Sequence, residues 1–243
     1  MESQIALLTG SGRRLGRKMA IALAEHGFDV VVNYNQSRSE ARQAEKEIKR
    51  IGRRCLLVQA DVSNARAVKR MVQSAIKKFG KIDLLVNNAA IFPPQHDFEK
   101  ISEKLWDGVM AINLKAAFLC SQEVSKYMLK RKSGKIVNIA SLGAFQAWTK
   151  HIPYCVSKAG VVMLTKVMAK SLAPHISVNA IAPGTIIIPN EEAHAEHFPD
   201  VEKIPLKKYG KPSDITDLLI FLATASDYIT GQIISVDGGV TIA

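Results

Sequence analysis

Seven short runs rich in valine and isoleucine recur along this chain, and between them the apolar residues change to a spacing of about 3.6. The runs fall at 4–9, 29–34, 55–60, 84–88, 135–140, 176–182 and 233–236. They are apolar almost continuously instead of alternating, which marks strands covered on both faces. Val68, Met71, Val72, Ala75, Ile76 and Phe79 form one helical stripe, and Ile215, Leu218, Leu219 and Leu222 another. Ser63 reads as the N-cap of the first, and Pro212 lies in the first turn of the second. This alternation predicts an α/β fold, a doubly wound (Rossmann-type) parallel sheet of about seven strands with helices on both faces. Its motifs spread over nearly the whole length, so a single domain over 1–243 is expected.

Ligands of such sheets bind beyond the carboxyl ends of the strands. Several chemistry-bearing residues stand there: Thr9-Gly10, Asp61, Asn87-Asn88, Ser141 and Pro183-Gly184. The turn from Thr9 through Gly10, Gly12, Arg13, Arg14 and Leu15 to Gly16 joins the first strand to the first helix. Glycines let backbone approach a pyrophosphate, and a helix N-terminus offers free N–H donors. The spacing is not Gly-x-Gly-x-x-Gly, and a generic tight turn fits the same letters. After the second strand no carboxylate occurs before Glu40. A site selective for NAD usually has one there, on the ribose 2′-OH. Arg14, Ser37 and Arg38, with the Asn35 and Gln36 amides, suit a 2′-phosphate, which favours NADP(H).

Tyr154 and Lys158, four apart, share one helix face, and Ser141 lies thirteen residues before Tyr154. A nearby ammonium favours phenolate, so Lys158 is expected to lower the Tyr154 pKa. Such a tyrosine can exchange a proton with a carbonyl oxygen while hydride moves at the carbon. Alone, Tyr-x-x-x-Lys fits an ordinary helix tyrosine and a surface lysine equally well. Ser141 could merely stabilise a turn.

Taken together, these residues resemble the short-chain dehydrogenase/reductase family over essentially the full chain. The matches run in family order: Thr9-Gly10 to Gly16, Asp61, Asn87-Asn88-Ala89-Ala90, Asn113, Ser141, Tyr154 with Lys158, Pro183-Gly184 and Asp237-Gly238-Gly239. The resemblance implies an NAD(P)-dependent oxidoreductase, usually a homotetramer or homodimer. It makes Tyr154 the acid/base and Ser141 the partner of the substrate oxygen. Lys158 would hold the nicotinamide ribose, and Asn113 would anchor a water that relays protons to Lys158. Asp61 and Val62 would meet adenine. Asn87, Ala89 and Ala90 would line the cofactor, and Pro183, Gly184 and Ile186 would lie against the nicotinamide.

Two departures stand out: Arg14 replaces the middle glycine of the turn, and Ile188 a threonine common after Pro-Gly. Both are similar to pteridine reductases, which would make a dihydropterin C=N bond the alternative substrate. Ser141, where many of those enzymes carry aspartate, is closer to 3-oxoacyl-(acyl carrier protein) reductases. The leading expectation is therefore reduction of a small or carrier-bound ketone, with a non-catalytic nucleotide sensor as the alternative from another class.

Net charge is +11, from 33 Lys and Arg against 22 Asp and Glu. A basic surface, including Lys130-Arg131-Lys132, suits an acidic carrier protein, although most such charges are simply solvated. No long basic run or aromatic-basic interleaving points to nucleic acid. No secretory signal is read at the N-terminus, and no uninterrupted apolar stretch is long enough for a bilayer. Cys55, Cys120 and Cys155 lack any paired spacing, so free thiols and a cytoplasmic setting are expected.

Residues 186–205 form a long connection read as a substrate lid. Glu191, Glu192, His194 and His197 within it match no catalytic metal spacing, and a solvated polar lid is the simpler reading. Phe92 and Trp148 could form a substrate wall, and His151 could touch substrate or lie on the surface. The helix from Tyr154 to Ala173 carries Val161, Val162, Leu164, Val167 and Met168, apolar beyond one stripe, which predicts a subunit interface there.

Overall fold

The computed structural model describes residues 3–189, 198–225 and 227–243. The seven strands are β1 (Ile5–Leu8), β2 (Asp29–Tyr34), β3 (Cys55–Gln59), β4 (Leu84–Asn87), β5 (Gly134–Ile139), β6 (Ile176–Pro183) and β7 (Ile233–Val236). They form one sheet in the order β3-β2-β1-β4-β5-β6-β7, with every neighbouring pair parallel. The helices are α1 (Arg14–Glu25), α2 (Arg38–Arg50), α3 (Ala65–Phe79), α4 (Glu103–Met110), α5 (Ala116–Arg131), α6 (Ile152–Leu172) and α7 (Pro212–Thr224).

Alternate residues of each inner strand enter different cores, which explains the unbroken apolar runs. Ala6 and Leu8 of β1 join Met19, Leu23, Ile48, Ile215 and Leu219 from α1, α2 and α7. Ile5 and Leu7 turn the other way, onto Val68, Met71, Cys120, Val124 and Met128 from α3 and α5. Leu85 and its neighbours Leu84 and Val86 divide in the same manner. Truncating a fully buried leucine such as Leu85 to alanine would cost about 2–5 kcal/mol.

The chain leaves β1 in one direction, to β2 and β3, and later returns on its other side with β4. Order reverses at β1/β4, where loops diverge and leave a crevice at the strands' carboxyl ends.

Some local expectations change. The N-cap of α3 is Asn64, whose Oδ1 accepts from the Ala67 N–H at 3.1 Å. Ser63 is drawn instead to Asp61, giving its N–H and hydroxyl to Oδ1 at 2.9 and 2.7 Å. The long helix before β5 is interrupted by a π-turn at Ala111–Lys115. The 21-residue helix α6 has the length and composition to cross a membrane, which inspection of continuous apolar runs missed. It nevertheless packs along β6 and carries Lys158 into the interior.

The stem of the segment 186–205 is anchored at both ends. Ile186 bridges to Gly210, and the Leu206 N–H donates to the Gly238 carbonyl at 3.1 Å. Residues 190–197, with Glu191, Glu192, His194 and His197, lie outside the described residues. Cys55, Cys120 and Cys155 are free thiols.

Candidate active site

At the crevice, the turn after β1 is pulled tightly onto the end of β4. Asn88 donates from Nδ2 to the Thr9 and Gly10 carbonyls, each at 3.0 Å. The Thr9 hydroxyl accepts from the backbone N–H groups of Asn88 and Ala89 at 3.0 and 3.1 Å. Gly10 has φ +60°, and a Cβ there would stand 2.8 Å from Ala89 Cα. A Cβ on Gly16 would stand 2.4 Å from the Gly10 oxygen. These glycines therefore permit chain-to-chain contact that brings the start of α1 beside β4.

The first turn of α1 holds no acidic residue, and Arg13 at the N-cap gives no side-chain capping bond. Its leading N–H groups thus keep their donor capacity and partial positive charge. Arg13 and Arg14 are exposed beside them. This donor set fits a dinucleotide pyrophosphate. Arg14 itself sits at φ 51°, a left-handed conformation that costs a non-glycine residue about 1–2 kcal/mol.

The opposite wall of the turn is the start of α2. A Cβ on Gly12 would stand 3.2 Å from Ser37 Oγ, so the expected 2′-phosphate residue does reach the turn. Asn35 and Gln36 are exposed next to it. Glu40 is held below the usual carboxylate range, first by its own backbone N–H and Ser39, and also by Arg13. Asp61 is exposed and Val62 buried at the end of β3.

Two expected contact residues direct their side chains elsewhere. The Asn87 amide points inward, donating to Ser121 Oγ at 2.9 Å and Asn138 Oδ1 at 2.8 Å. Asn138 in turn donates to Thr165 Oγ1 at 2.8 Å, so a buried polar chain ties β4 and β5 to α5 and α6. Asn87 is buried, and Ala89 and Ala90 are the more accessible. Asn113 is likewise engaged. Its Oδ1 accepts from the Ile91 N–H at 2.8 Å, and its Nδ2 donates to the Ile91 carbonyl at 3.0 Å and Ser157 Oγ at 3.1 Å. The Ser157 hydroxyl donates to the Tyr154 carbonyl at 2.7 Å. The Asn113 side chain thus clamps two backbone segments, Ile91 directly and Tyr154 through Ser157.

Ser141, Tyr154 and Lys158 do come together. Ser141 lies two residues beyond β5, and its Oγ caps the Gly143 N–H at 3.1 Å and hydrogen-bonds the Tyr154 phenol. Lys158 Nζ lies 5.8 Å from the Tyr154 ring centroid and donates to the Ile139 carbonyl at 2.8 Å. Burial pushes the phenol up to about 12, with the Ser141 hydrogen bond pulling the other way. Burial also pushes the Lys158 ammonium down to about 8. The downward pull on Tyr154 thus comes from Ser141, where sequence reasoning assigned it to Lys158.

Aromatic rings close the mouth. Phe92 meets the Tyr154 ring edge-on at 4.7 Å and His151 at 4.3 Å, and Trp148 stacks parallel to Tyr154 at 6.2 Å. The loops that carry them are joined by a Lys150–Asp97 ion pair and by the His96 N–H donating to the Lys150 carbonyl at 3.0 Å. Sequence spacing gave no sign of this clasp, nor of the bridging role of Asn88. Beyond β6, the Gly184 N–H donates to the Val236 carbonyl at 2.9 Å, and a Cβ there would strike Asp237 at 2.8 Å. Pro183 is buried, Ile186 half-buried, and Ile188 turns inward. The arrangement can hold a proton on a half-buried phenol beside a hydroxyl donor and a buried amine.

A family model described as enoyl-(acyl carrier protein) reductase matches residues 10–241. A 3-oxoacyl-[acyl-carrier-protein] reductase of Synechocystis sp. is 42% identical, covering 100% of this chain and 98% of that protein. A 2-dehydro-3-deoxy-D-gluconate 5-dehydrogenase of Dickeya dadantii is 39% identical, over 98% of this chain and 96% of its own length. Among solved structures, a double mutant of a Serratia marcescens short-chain dehydrogenase/reductase is 30% identical with a TM-score of 0.92, covering 99% of this chain and 98% of that one.

Proposed function

The chain belongs to the short-chain dehydrogenase/reductase family of oxidoreductases, and from that premise we propose that it is an NADPH-dependent carbonyl reductase acting on 3-oxoacyl thioesters or similar small ketones. One observation carries the reading: Ser141, Tyr154 and Lys158 converge at the end of β5, beside the crevice that holds the glycine turn. A bound nicotinamide supplies the hydride. Tyr154, kept protonated by burial, gives its proton to the carbonyl oxygen. Ser141 orients that oxygen and steadies the charge it gains. Lys158 holds the nicotinamide ribose and lends positive charge beneath the phenol.

The turn from Gly10 to Gly16 and the start of α1 hold the pyrophosphate. Arg14, Ser37 and Arg38, with Asn35 and Gln36, receive the 2′-phosphate. Asp61 and Val62 meet adenine, Ala89 and Ala90 border the cofactor, and Pro183, Gly184 and Ile186 border the nicotinamide.

The 3-oxoacyl substrate is favoured by the Synechocystis relative and by Ser141. An acidic carrier is favoured by the net charge of +11 and by exposed Lys130 and Lys132. Arg131 between them is engaged with Asp83 at 2.9 Å. The Arg14-Leu15-Gly16 turn supports a second reading, dihydropterin reduction. NADPH oxidation with acetoacetyl thioester against dihydrobiopterin separates the two, and activity on neither removes both. Tyr154→Phe is expected to abolish turnover while sparing NADPH binding. Undiminished turnover in that variant excludes Tyr154 as the acid, and an inactive wild type that still binds NADPH favours a sensor.

Val156, Met163 and Val167 on α6 and Phe118 on α5 are exposed apolar side chains, which supports a homodimer or homotetramer built on these helices. A monomer in sedimentation at micromolar concentration contradicts it. The free thiols and this metabolic role favour a cytoplasmic location.

A further inference from the structure

Trp148 belongs to none of the hydrophobic clusters that hold the sheet and its helices together. Its ring neighbours are Phe92, His151 and Tyr154, all at the mouth of the crevice. Its indole and the Tyr154 phenol are parallel to within 1°, with centroids 6.2 Å apart. Phe92 meets the same phenol edge-on, so the ring is bounded on two sides.

The indole is itself fixed by its surroundings. Its N–H donates to Gln146 Oε1 at 2.9 Å. Gly143 leaves the space it fills: a Cβ there would stand 2.9 Å from Trp148 Cζ3 and 3.2 Å from Cε3. The same Gly143 offers its N–H to Ser141 Oγ at 3.1 Å. One short turn thus sets both the hydroxyl and the indole that flank Tyr154. A tryptophan kept only for stability would be expected among the aliphatic side chains of a core, where its large surface is removed from water.

We propose that Trp148 is a positioning residue that acts through Tyr154, holding the phenol ring at the angle that meets Ser141 and shielding part of it from water. This rests on the reading of Tyr154 as proton donor. A phenol turns about two side-chain torsions, and the indole and Phe92, whose own centroids are 6.4 Å apart, form one corner against it that restricts both. A reacting group held in place needs no search for the productive geometry, which appears in kcat. Packing against the indole also helps to keep the phenol protonated, in line with the upward shift that burial imposes on it.

Two measurements on Trp148→Ala and Trp148→Phe test this. The first needs no substrate: tyrosinate formation is followed by ultraviolet absorbance, and the Tyr154 step is isolated by subtracting the matching Tyr154→Phe protein. In Trp148→Ala the step is expected about one pH unit lower, and in Trp148→Phe close to wild type. The second is NADPH oxidation with acetoacetyl thioester. Trp148→Ala is expected to lose about tenfold in kcat with KM nearly unchanged, and Trp148→Phe to recover most of it.

An unshifted titration and unchanged kcat in Trp148→Ala overturn the proposal, as does a rise in KM alone, which would make the indole a substrate wall. If Trp148→Ala does not fold, Gly143→Ala displaces the indole and must lower the titration in the same way. A Tyr154→Phe protein with full turnover removes the acid reading and this proposal with it. An inactive Tyr154→Phe protein beside an unaltered Trp148→Ala removes this proposal alone.

Discussion

Lys158 places its ammonium 5.8 Å from the ring centroid of Tyr154 and donates to the Ile139 carbonyl at 2.8 Å. It is 3% exposed, and burial brings its pKa down to about 8. A cation held this way burdens the fold. Between about pH 8 and 10.5 the unfolded chain binds more protons than the folded one, so this lysine makes stability rise with pH in that window.

Lys158→Met should abolish turnover yet raise stability near neutral pH by about 1–3 kcal/mol. The gain should fade as pH climbs through the window, bringing the variant and wild type together. Urea unfolding across that range measures it. Equal pH dependence in both proteins would show that Lys158 is not strained by burial.

Ser141→Ala removes the hydrogen bond that pulls the Tyr154 phenol downward, so the phenol should titrate still higher. With the donor to the substrate oxygen also gone, kcat should fall by about 10²–10³ with KM little changed. Loss of the Gly143 cap should cost no more than about 1 kcal/mol in thermal unfolding.

Gly16→Ala forces a Cβ within 2.4 Å of the Gly10 oxygen and 2.7 Å of Asn88 Nδ2. Both atoms are fixed in the turn, so a loss of about 2–3 kcal/mol and of NADPH binding is expected. Gly27→Ala is the comparison: φ is +90° but nothing lies within 4 Å, so only about 1 kcal/mol should be lost, with binding intact. Chemical denaturation and cofactor titration report both.

Arg14→Gly relieves a left-handed arginine at φ 51°, offset in part by the freedom glycine adds to the unfolded chain. Stability should hold or rise by up to about 1 kcal/mol. NADPH affinity should fall about tenfold while NADH affinity barely changes, because the lost partner is the 2′-phosphate. Equal loss for both cofactors would move Arg14 to the pyrophosphate.

The strands were legible because they are buried on both faces, leaving Val30-Val31-Val32 and Ile5-Ala6-Leu7-Leu8 as unbroken runs. Their ends fall within one residue of expectation. The start of α3 was harder, since Ser63 and Asn64 are both good caps and only the capture of Ser63 by Asp61 decides between them. The Tyr154, Lys158 and Ser141 constellation was legible because two members share a helix face and the third follows a strand. The inward turn of Asn87 and the clamp formed by Asn113 were not. Each depends on partners 22 to 51 residues away, Ile91, Ser121, Ser157 and Asn138, which no local pattern encodes.

The clamp has a mechanical consequence. One amide fastens Ile91, whose neighbour is Phe92, and reaches through Ser157 to the carbonyl of Tyr154. Phe92 of the aromatic rim and Tyr154 are therefore riveted into a single block. On the proposed function, accommodation of substrates of different girth falls to the facing side, where the chain departs from Pro183.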